Sequence, residues 1–246
     1  METQDTFLNQ QLIIRQPRNG YRAATDPVFM AASIPARAGQ SILDIGCGVG
    51  VASLCLGARI PGLFLTGIEL QMEYSMLAKV NAANNNLYFD VINTDLANLP
   101  DALRQKSFDH IMTNPPFFIP KTLSKPLDLG KLLANVETME LEDWITLSLK
   151  RLKSHGSFTI IHLAERLPEI LTHMAQSCGN IRILPIASRK EYPAKRIIIQ
   201  AIKGSKSPMK LLPPFIVHDG DQHNKDGNDY SLVAEKILRY GAELNL

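Results

Sequence analysis

The sequence predicts an α/β fold in which a mostly parallel sheet carries helices on both faces. Short apolar runs alternate with helical stretches from Ser41 onward, and such alternation implies parallel strands joined by right-handed crossovers. Several of these runs end in glycine or in a side chain that accepts hydrogen bonds, as expected where a parallel sheet meets a ligand. The linker between the last two runs is too short and polar to form a helix, so we expect the final strand to insert antiparallel.

The elements follow from local patterns along the chain. Asp26-Pro27 begins the first helix, because proline is favoured at the first helical position, and Asn84-Asn85-Asn86 ends a later one. The predicted strands are Ser41–Ile45, Leu63–Leu70, Tyr88–Asn93, Phe108–Thr113, Ser157–Leu163, Ile181–Ile186 and Arg196–Ile202. The further predicted helices are Val51–Ile60, Glu73–Asn84, Leu141–Leu152, Glu165–Cys178 and Tyr230–Tyr240.

We expect one large domain with short additions, which a chain of 246 residues accommodates. Residues 1–38 are predicted as a lead-in with a short helix, and residues 39–204 as the main domain. Residues 205–246 are predicted as a C-terminal extension packed on that domain. Residues 118–135 lack a clear period and are rich in Lys, Leu and Pro, which predicts a loop beside the functional site.

Composition favours an ordinary soluble globular protein, with 45% hydrophobic and 20% charged residues. The net charge of +2 does not by itself indicate a nucleic-acid partner. The three cysteines form no CxxC pair, which favours free thiols in a reducing compartment. The N-terminus is polar and has no apolar run long enough for a signal sequence core, and no apolar stretch of the chain approaches the length of a spanning helix. We therefore expect a cytoplasmic protein without a membrane partner.

The first predicted strand runs into the glycine-rich segment Asp44–Gly50, DIGCGVG. Gly46, Gly48 and Gly50 allow the backbone to turn sharply and to approach a ligand without Cβ clashes. Val51 occupies the place of the third glycine of the dinucleotide fingerprint. The pattern therefore favours a nucleotide-like cofactor that has no pyrophosphate.

Three acidic side chains near strand ends suit S-adenosylmethionine (SAM) as that cofactor. Asp44 can attract the cationic amino group of a methionine moiety, and Glu69 can accept both ribose hydroxyls, as in dinucleotide sites. We expect Leu70 to line the cofactor beside Glu69. Asp95 can accept from an adenine amino group, and Leu96 offers its backbone amide to the ring. A plain turn with solvated carboxylates is the alternative interpretation of each feature taken alone.

The tetrad Asn114-Pro115-Pro116-Phe117 follows the fourth predicted strand and suggests methyl transfer to a planar, conjugated nitrogen. The Asn114 side-chain oxygen and the Pro115 carbonyl can accept the two hydrogens of such an amine as its charge grows. The Phe117 ring can stack on a planar target, and such stacking stabilises a bound base by about 1–3 kcal/mol. We expect Asn114 to contact the cofactor as well. A strand-to-loop turn is the alternative for the tetrad alone.

Together, the glycine run and the tetrad resemble class I SAM-dependent amino-methyltransferases. Their sheet is Rossmann-like and seven-stranded, with an antiparallel last strand. A closer resemblance, to the bacterial tRNA(Val) adenine-N6-methyltransferase family, spans the chain from about Gly20 to Leu246. It is carried by Gly20–Val28, Ile68–Gln71, Ala134–Glu137, Ala194–Arg196 and Ile237–Arg239. The chain departs from the family pattern at Asn135, where histidine is frequent, and in the tail insert Gln222–Asp229.

This resemblance implies that SAM donates a methyl group to the N6 amine of the adenine after the anticodon, leaving S-adenosylhomocysteine. It implies cofactor roles for Asp44, Gly46, Gly48, Glu69 and Asp95, and contact with the target amine for Asn114, Pro115 and Phe117. A protein glutamine-N5 methyltransferase is the first alternative, although it usually has Tyr where this chain has Phe117, and a separate N-terminal helical domain. A DNA adenine methyltransferase needs a target-recognition insertion that is not evident, and the intact tetrad argues against a non-catalytic SAM or RNA binder.

Basic residues give the C-terminal third and the loop after the tetrad a positive bias. If they share the face that bears Phe117, they can neutralise RNA phosphates; a solvated surface is the alternative. They are Lys121, Lys125, Lys131, Arg189, Lys190, Lys195, Arg196, Lys203, Lys206 and Lys210. The turn at Asp219–His223 fails the EF-hand pattern, and we expect no metal.

Overall fold

The computed structural model describes residues 2–116, 139–221 and 229–246. The strands are β1 (Glu2–Phe7), β2 (Leu12–Pro17), β3 (Ser41–Ile45), β4 (Phe64–Glu69), β5 (Phe89–Asn93), β6 (Phe108–Thr113), β7 (Leu152–Leu163), β8 (Cys178–Ala187), β9 (Arg196–Lys203), β10 (Lys210–Leu211) and β11 (Phe215–Ile216). The helices are α1 (Asp26–Ser33), α2 (Val51–Arg59), α3 (Met72–Asn84), α4 (Asp101–Arg104), α5 (Leu141–Lys150), α6 (Leu167–Met174) and α7 (Leu232–Tyr240). The loop predicted for residues 118–135 lies outside the described residues.

The seven predicted strands correspond to β3 through β9 and form the body of one sheet. Its order is β10-β8-β9-β7-β6-β3-β4-β5, with β11 also paired to β8. Neighbours from β5 to β7 pair in parallel, whereas β9 is antiparallel to both β7 and β8. The predicted antiparallel insertion is therefore confirmed. The two short strands β10 and β11 extend the far edge and bring the sheet to nine strands.

Both faces of this sheet are covered, which requires apolar side chains at successive positions of the inner strands. Ile42 and Met112 belong to the core under α1, α2, α3 and α7. Their sequence neighbours Leu43 and Ile111 belong to the core under α5 and α6. Across the described ranges, no helix combines the length and the apolar character needed to cross a membrane.

Two helices end earlier than predicted, because the residues at their predicted ends pair in the sheet. Leu152 begins β7 instead of ending a helix. The Lys203 ammonium donates to the backbone carbonyls of Leu149 and Leu152 at 2.6 and 2.8 Å. Cys178 pairs with Lys203 at the start of β8, so the helix predicted to reach Cys178 ends at Met174. Tertiary pairing outweighed local helix propensity at both positions.

The N-terminal lead-in contains a β-hairpin that the sequence did not indicate. Strands β1 and β2 pair antiparallel through a turn in which Leu8, Asn9 and Gln10 all have positive φ. This turn contains no glycine, and β1 is largely polar, so the usual hairpin pattern is missing. Helix α1 begins where the Asp26-Pro27 pair predicts.

Two asparagines of the α3 region fasten the hairpin to the sheet domain. The buried Asn81 amide accepts from the Arg15 backbone N–H at 2.8 Å and donates to the carbonyls of Arg15 and Val49, both at 3.0 Å. One turn later, Asn85 makes the same paired contacts with Ile13 at 2.8 Å. The contact with Val49 links the hairpin anchor directly to the glycine-rich segment.

We predict that Asn81→Ala lowers the free energy of unfolding by about 2–3 kcal/mol, because it leaves buried backbone groups without partners. Asn85→Ala is the matched control: its contacts with Ile13 are solvent-exposed, so its cost stays below about 1 kcal/mol. Urea unfolding of both variants measures the difference. Equal destabilisation of the two variants would contradict the anchoring role of Asn81.

Candidate active site

Strand register brings three of the predicted site residues to one edge of the sheet. Ile45 of β3 pairs with Ile68 of β4 and also with Thr113 of β6. The residues that follow, Gly46, Glu69 and Asn114, therefore leave the sheet at nearly the same level. This is the edge at which the carboxyl ends of parallel strands meet.

The glycine-rich segment folds over the end of β4. The backbone N–H groups of Gly46 and Cys47 both donate to the Ile68 carbonyl, at 2.9 and 3.0 Å. Gly46, with φ of 68°, packs so closely that an added Cβ would lie 3.2 Å from the Trp144 ring. Gly48 also has positive φ, but an added Cβ there meets no atom of the described residues within 4 Å. Gly46 therefore serves packing, whereas Gly48 faces open space into which a ligand can approach.

Glu69 connects the end of β4 to the glycine-rich segment. One carboxylate oxygen accepts from the Gly48 backbone N–H and the other from the Gln71 backbone N–H, each at 2.9 Å. Burial raises the pKa of Glu69, and its backbone hydrogen bonds oppose that shift. Because each carboxylate oxygen has two acceptor sites, both can still accept from a second donor such as a ribose hydroxyl. Leu70 follows with about half of its surface exposed.

Asp44 is a buried carboxyl at the base of the same site. Its only described hydrogen-bond donor from a side chain is the Ser53 hydroxyl, at 2.8 Å. Burial raises the pKa of Asp44 to about 7; the nearby Glu69 adds to this shift, and the Ser53 hydrogen bond opposes it. A cation held beside this carboxyl would relieve the cost of burying its charge.

Asp95 lies at the far side of this edge, two residues after β5. It caps the short 3₁₀ turn Leu96–Asn98 and accepts from the Ala97 backbone N–H at 2.9 Å. The Asp95 side chain is half-buried and Leu96 is buried. Asn93 donates to the carbonyls of Glu69 and Leu70 at 2.8 and 2.9 Å, which ties this segment to the end of β4.

Asn114 directly follows β6, and its side-chain amide is hydrogen-bonded to a tyrosine. Its Nδ2 group donates to the Tyr21 hydroxyl at 3.2 Å, and among the described residues its side-chain oxygen has no hydrogen-bond partner. Pro115 is buried and Pro116 is exposed, while Phe117 lies outside the described residues. The uncommitted oxygen leaves Asn114 able to accept a hydrogen bond from a ligand.

The strand beneath Asn114 is held by a chain of hydrogen bonds. The Trp144 indole N–H donates to the Thr113 hydroxyl at 2.9 Å, and that hydroxyl donates to the Ile45 carbonyl at 2.8 Å. The same Trp144 ring supports Gly46. Trp144 thus fixes the ends of β3 and β6 relative to each other, a role that its position in an ordinary amphipathic helix did not indicate.

Tyr21 and Asp26 also have roles beyond those assigned from the sequence. The backbone carbonyl of Tyr21 accepts from the Tyr74 hydroxyl at 3.2 Å. Thr25 is the N-cap residue of α1, and the Asp26 carboxylate accepts from Arg196 Nε at 3.0 Å. Neither Tyr21 nor Arg196 was predicted as a catalytic or cofactor-binding residue, because each makes its contact with a residue far away in the sequence, Tyr21 with Asn114 and Arg196 with Asp26.

Cys47 and His218 belong to residue types that often act as nucleophiles or metal ligands, and their surroundings argue against both roles. Cys47 is buried, and burial raises its pKa well above the ordinary thiol value, so it is a poor nucleophile. His218 contacts Asp229 at 2.7 Å and stacks on Tyr230. In the part of the chain that the structure describes, no cluster of three or more His, Cys, Asp or Glu side chains could hold a metal ion.

Comparison with known proteins agrees with this geometry. The family model described as "Methyltransferase small domain" matches residues 25–190, more than half of the chain. A protein of Trichodesmium erythraeum (strain IMS101) named tRNA1(Val) (adenine(37)-N6)-methyltransferase is 24% identical over 242 residues, which are 95% of this chain and 98% of the relative.

Two solved structures share the fold. One is from Agrobacterium tumefaciens and is described as a "predicted O-methyltransferase". It has a TM-score of 0.70 at 22% sequence identity, and the match covers 90% of this chain and 99% of the Agrobacterium chain. The other is the T. thermophilus 16S rRNA N2 G1207 methyltransferase in complex with AdoMet and guanosine. Its TM-score is 0.58 at 15% sequence identity, and the match covers 82% of this chain and 50% of the T. thermophilus chain. The fold is therefore the Rossmann-like class I methyltransferase fold that the sequence predicts.

We predict that Asp44→Asn stabilises the protein while weakening SAM binding. The folded-state pKa of Asp44 is about 7, against an ordinary value of 3.8. Above pH 7 the buried carboxyl is charged, and this charge lowers the free energy of unfolding by its full amount. As the pH falls toward 4 the carboxyl of the folded protein is protonated, and the loss of stability disappears. Removing the charge should raise the free energy of unfolding by about 1–3 kcal/mol at pH 8. Urea unfolding at pH 8 and pH 4 measures this gain, which should vanish at pH 4.

The control for this prediction is Ser53→Ala, which keeps the charge and removes its hydrogen bond. It should destabilise the protein at pH 8, the opposite sign to Asp44→Asn. Calorimetry should show weaker SAM binding to Asp44→Asn. Unchanged SAM affinity would contradict the assignment of Asp44 to the cofactor.

Proposed function

We propose that this chain, which belongs to the methyltransferase small domain family, methylates the N6 amine of an adenine in tRNA. It is a SAM-dependent methyltransferase, and SAM is its methyl donor. The choice of an amino nitrogen rests on the Asn114 side-chain oxygen, which lies at the same edge as Gly46 and Glu69 and has no hydrogen-bond partner in the described part of the chain. The choice of tRNA adenine is supported by the name of the 24% identical relative.

The residues at this edge fit the three polar parts of SAM. Asp44 offers a buried carboxyl for the cationic amino group, and Glu69 retains acceptor capacity for the two ribose hydroxyls. Asp95 is half-buried two residues after β5 and can accept from the adenine amino group. Gly48 leaves room for the ligand's close approach. This set of acceptors suits a cofactor that carries a cation, a diol and an exocyclic amine.

Asn114 and Pro115 would prepare the acceptor amine for transfer. When bound, SAM supplies an electrophilic methyl group on a sulfonium. The lone pair of an exocyclic amine is delocalised into its ring, so the nitrogen has to move toward a tetrahedral geometry before it can attack. Two acceptors, the Asn114 oxygen and the Pro115 carbonyl, would hold its hydrogens and favour that change. The methylated nitrogen then loses one proton to solvent, so a strong base is not required.

The basic residues of the C-terminal third divide between the two edges of the sheet. Residues 188–195 join β8 to β9 on the edge that carries Asn114, because β8 runs in the same direction as β6. Lys190 and Lys195 are exposed there, as is Tyr192. Lys206 and Lys210 lie near the start of β8, at the opposite edge. The position of the first group at the Asn114 edge supports its choice as the RNA contact.

Three other cations of the predicted basic set, Arg189, Arg196 and Lys203, bind groups of the protein itself. Arg189 donates to the Gly220 carbonyl at 3.0 Å and pairs with Asp229. Arg196 pairs with Asp26 at 3.0 Å, and Lys203 binds two backbone carbonyls. We therefore assign phosphate contact to Lys190 and Lys195, with the Tyr192 ring available for stacking on a base. The lysines of residues 117–138 lie outside the described residues.

The identity of the product tests the proposed function. The full chain would be incubated with labelled SAM and total tRNA from a strain that lacks the enzyme, with a release-factor protein as the alternative acceptor. Digestion should give labelled N6-methyladenosine from the tRNA. Label that appears as methylated glutamine, with none in N6-methyladenosine, would replace the proposed function with protein methylation.

We predict that Asn114→Ala reduces kcat for methyl transfer by about 10²–10³-fold, because it removes an acceptor used as charge develops on the amine. The dissociation constant for SAM should change less than about threefold, since the carboxylates that bind the cofactor remain. Asn84→Ala, at an exposed position at the end of α3, is the control. Wild-type kcat in Asn114→Ala would disprove the assignment.

We also predict that the double variant Lys190→Ala/Lys195→Ala raises the KM for tRNA about tenfold. The slope of log affinity against log salt should fall by about 1 for each phosphate that a lysine no longer neutralises. The matched control is Lys206→Ala/Lys210→Ala, which removes the same charge from the opposite edge and should leave KM unchanged. Equal effects of the two double variants would indicate a general charge effect and would contradict a defined RNA path.

A further inference from the structure

We propose that Tyr21 is a positioning residue that determines which atom of the Asn114 amide faces the acceptor amine. This inference rests on the proposed function, because it concerns the same transfer site. Tyr21 lies in the segment between β2 and α1, far from Asn114 in sequence, and the proposed mechanism gives it no direct contact with the reacting atoms. Its hydroxyl accepts the hydrogen bond from Asn114 Nδ2 at 3.2 Å.

An asparagine amide requires such a partner because its two ends have nearly the same shape and opposite chemistry. The oxygen accepts hydrogen bonds, and the NH2 group only donates them. If the amide turned by 180°, Asn114 would present hydrogens to the hydrogens of an acceptor amine, and it could no longer assist transfer. The Tyr21 hydroxyl occupies the side of the NH2 group, so the oxygen remains available on the other side.

The Tyr21 hydroxyl is the acceptor in this contact. Desolvation of the hydroxyl and the negative charge of Asp26 raise the pKa of Tyr21 to about 12, and Asp44 adds a smaller contribution. The Asn114 hydrogen bond and the positive charge of Arg196 oppose this shift. A hydrogen bond that lowers the pKa of a phenol is one donated to its oxygen, which agrees with the direction from Asn114 Nδ2 to the Tyr21 hydroxyl.

The position of Tyr21 is fixed through its backbone and its neighbours. The Tyr74 hydroxyl donates to the Tyr21 carbonyl at 3.2 Å. Gly20 has φ of 102°, and an added Cβ there would lie only 2.7 Å from the Tyr74 hydroxyl. On the other side, Arg22 pairs with Asp5 at 2.6 Å. The Tyr21 side chain is nevertheless 54% exposed, so core packing does not account for it.

A double-mutant cycle in the full chain tests this coupling. Tyr21→Phe removes only the hydroxyl and should reduce kcat about tenfold or more, with the KM for SAM unchanged. Because Tyr21 acts through Asn114, the same substitution should change kcat less than about twofold in an Asn114→Ala background. Tyr240→Phe, which removes a hydroxyl from an exposed tyrosine of α7, should have no effect in either background.

A substrate-free measurement tests the same contact independently. The side-chain NH2 resonances of Asn114 can be identified in 15N-labelled protein bound to S-adenosylhomocysteine, because they are missing in Asn114→Ala. They should shift in Tyr21→Phe and not in Tyr240→Phe. If the wild-type protein does not methylate tRNA, the proposed function fails, while these resonances still test the inference. Unshifted resonances, or equal reductions of kcat in both Asn114 backgrounds, would overturn the role of Tyr21.

Discussion

The site depends on a single feature of strand register, the pairing of Ile45 with residues on both sides of β3. Ile45 is level with Ile68 of β4 and with Thr113 of β6, so the chain leaves three neighbouring strands at one height. The glycine-rich segment, the Glu69 carboxylate and the Asn114 amide therefore lie at the same edge of the sheet. The Trp144–Thr113–Ile45 hydrogen bonds hold two of these strand ends together, which keeps the ends of β3 and β6 in a fixed relation.

Two buried carboxyls at this edge lower the stability of the folded protein and at the same time suit the binding of a ligand. Glu69 secures the glycine-rich segment through the Gly48 backbone N–H, and burial raises its pKa. Asp44 is buried with one side-chain donor, the Ser53 hydroxyl. A protein selected for stability alone would not bury both groups so close together. Their presence is explained if a cationic, hydroxyl-bearing ligand completes their hydrogen bonds and offsets their charge.

Much of the fold could be predicted from the sequence, because apolar runs of strand length alternate with helical ones. The bounds of β6 were predicted to the residue, and the convergence of Gly46, Glu69 and Asn114 followed from parallel pairing. The hairpin could not be predicted, since its turn uses Leu8, Asn9 and Gln10 instead of glycine. The other features that were not predicted depend on contacts between residues that are far apart in the sequence. Tyr21 meets Asn114 only after the chain has folded, and side-chain partners of this kind are set by tertiary structure, which local sequence patterns do not encode.

The most direct test is a crystal structure of the protein with S-adenosylhomocysteine and an anticodon stem-loop RNA, in which the distances from the target amine are measured. We predict that the N6 nitrogen lies about 3 Å from both the Asn114 side-chain oxygen and the Pro115 carbonyl. An acceptor adenine bound in the site with its amine held by other groups, and with the Asn114 oxygen turned away, would contradict the proposed transfer site.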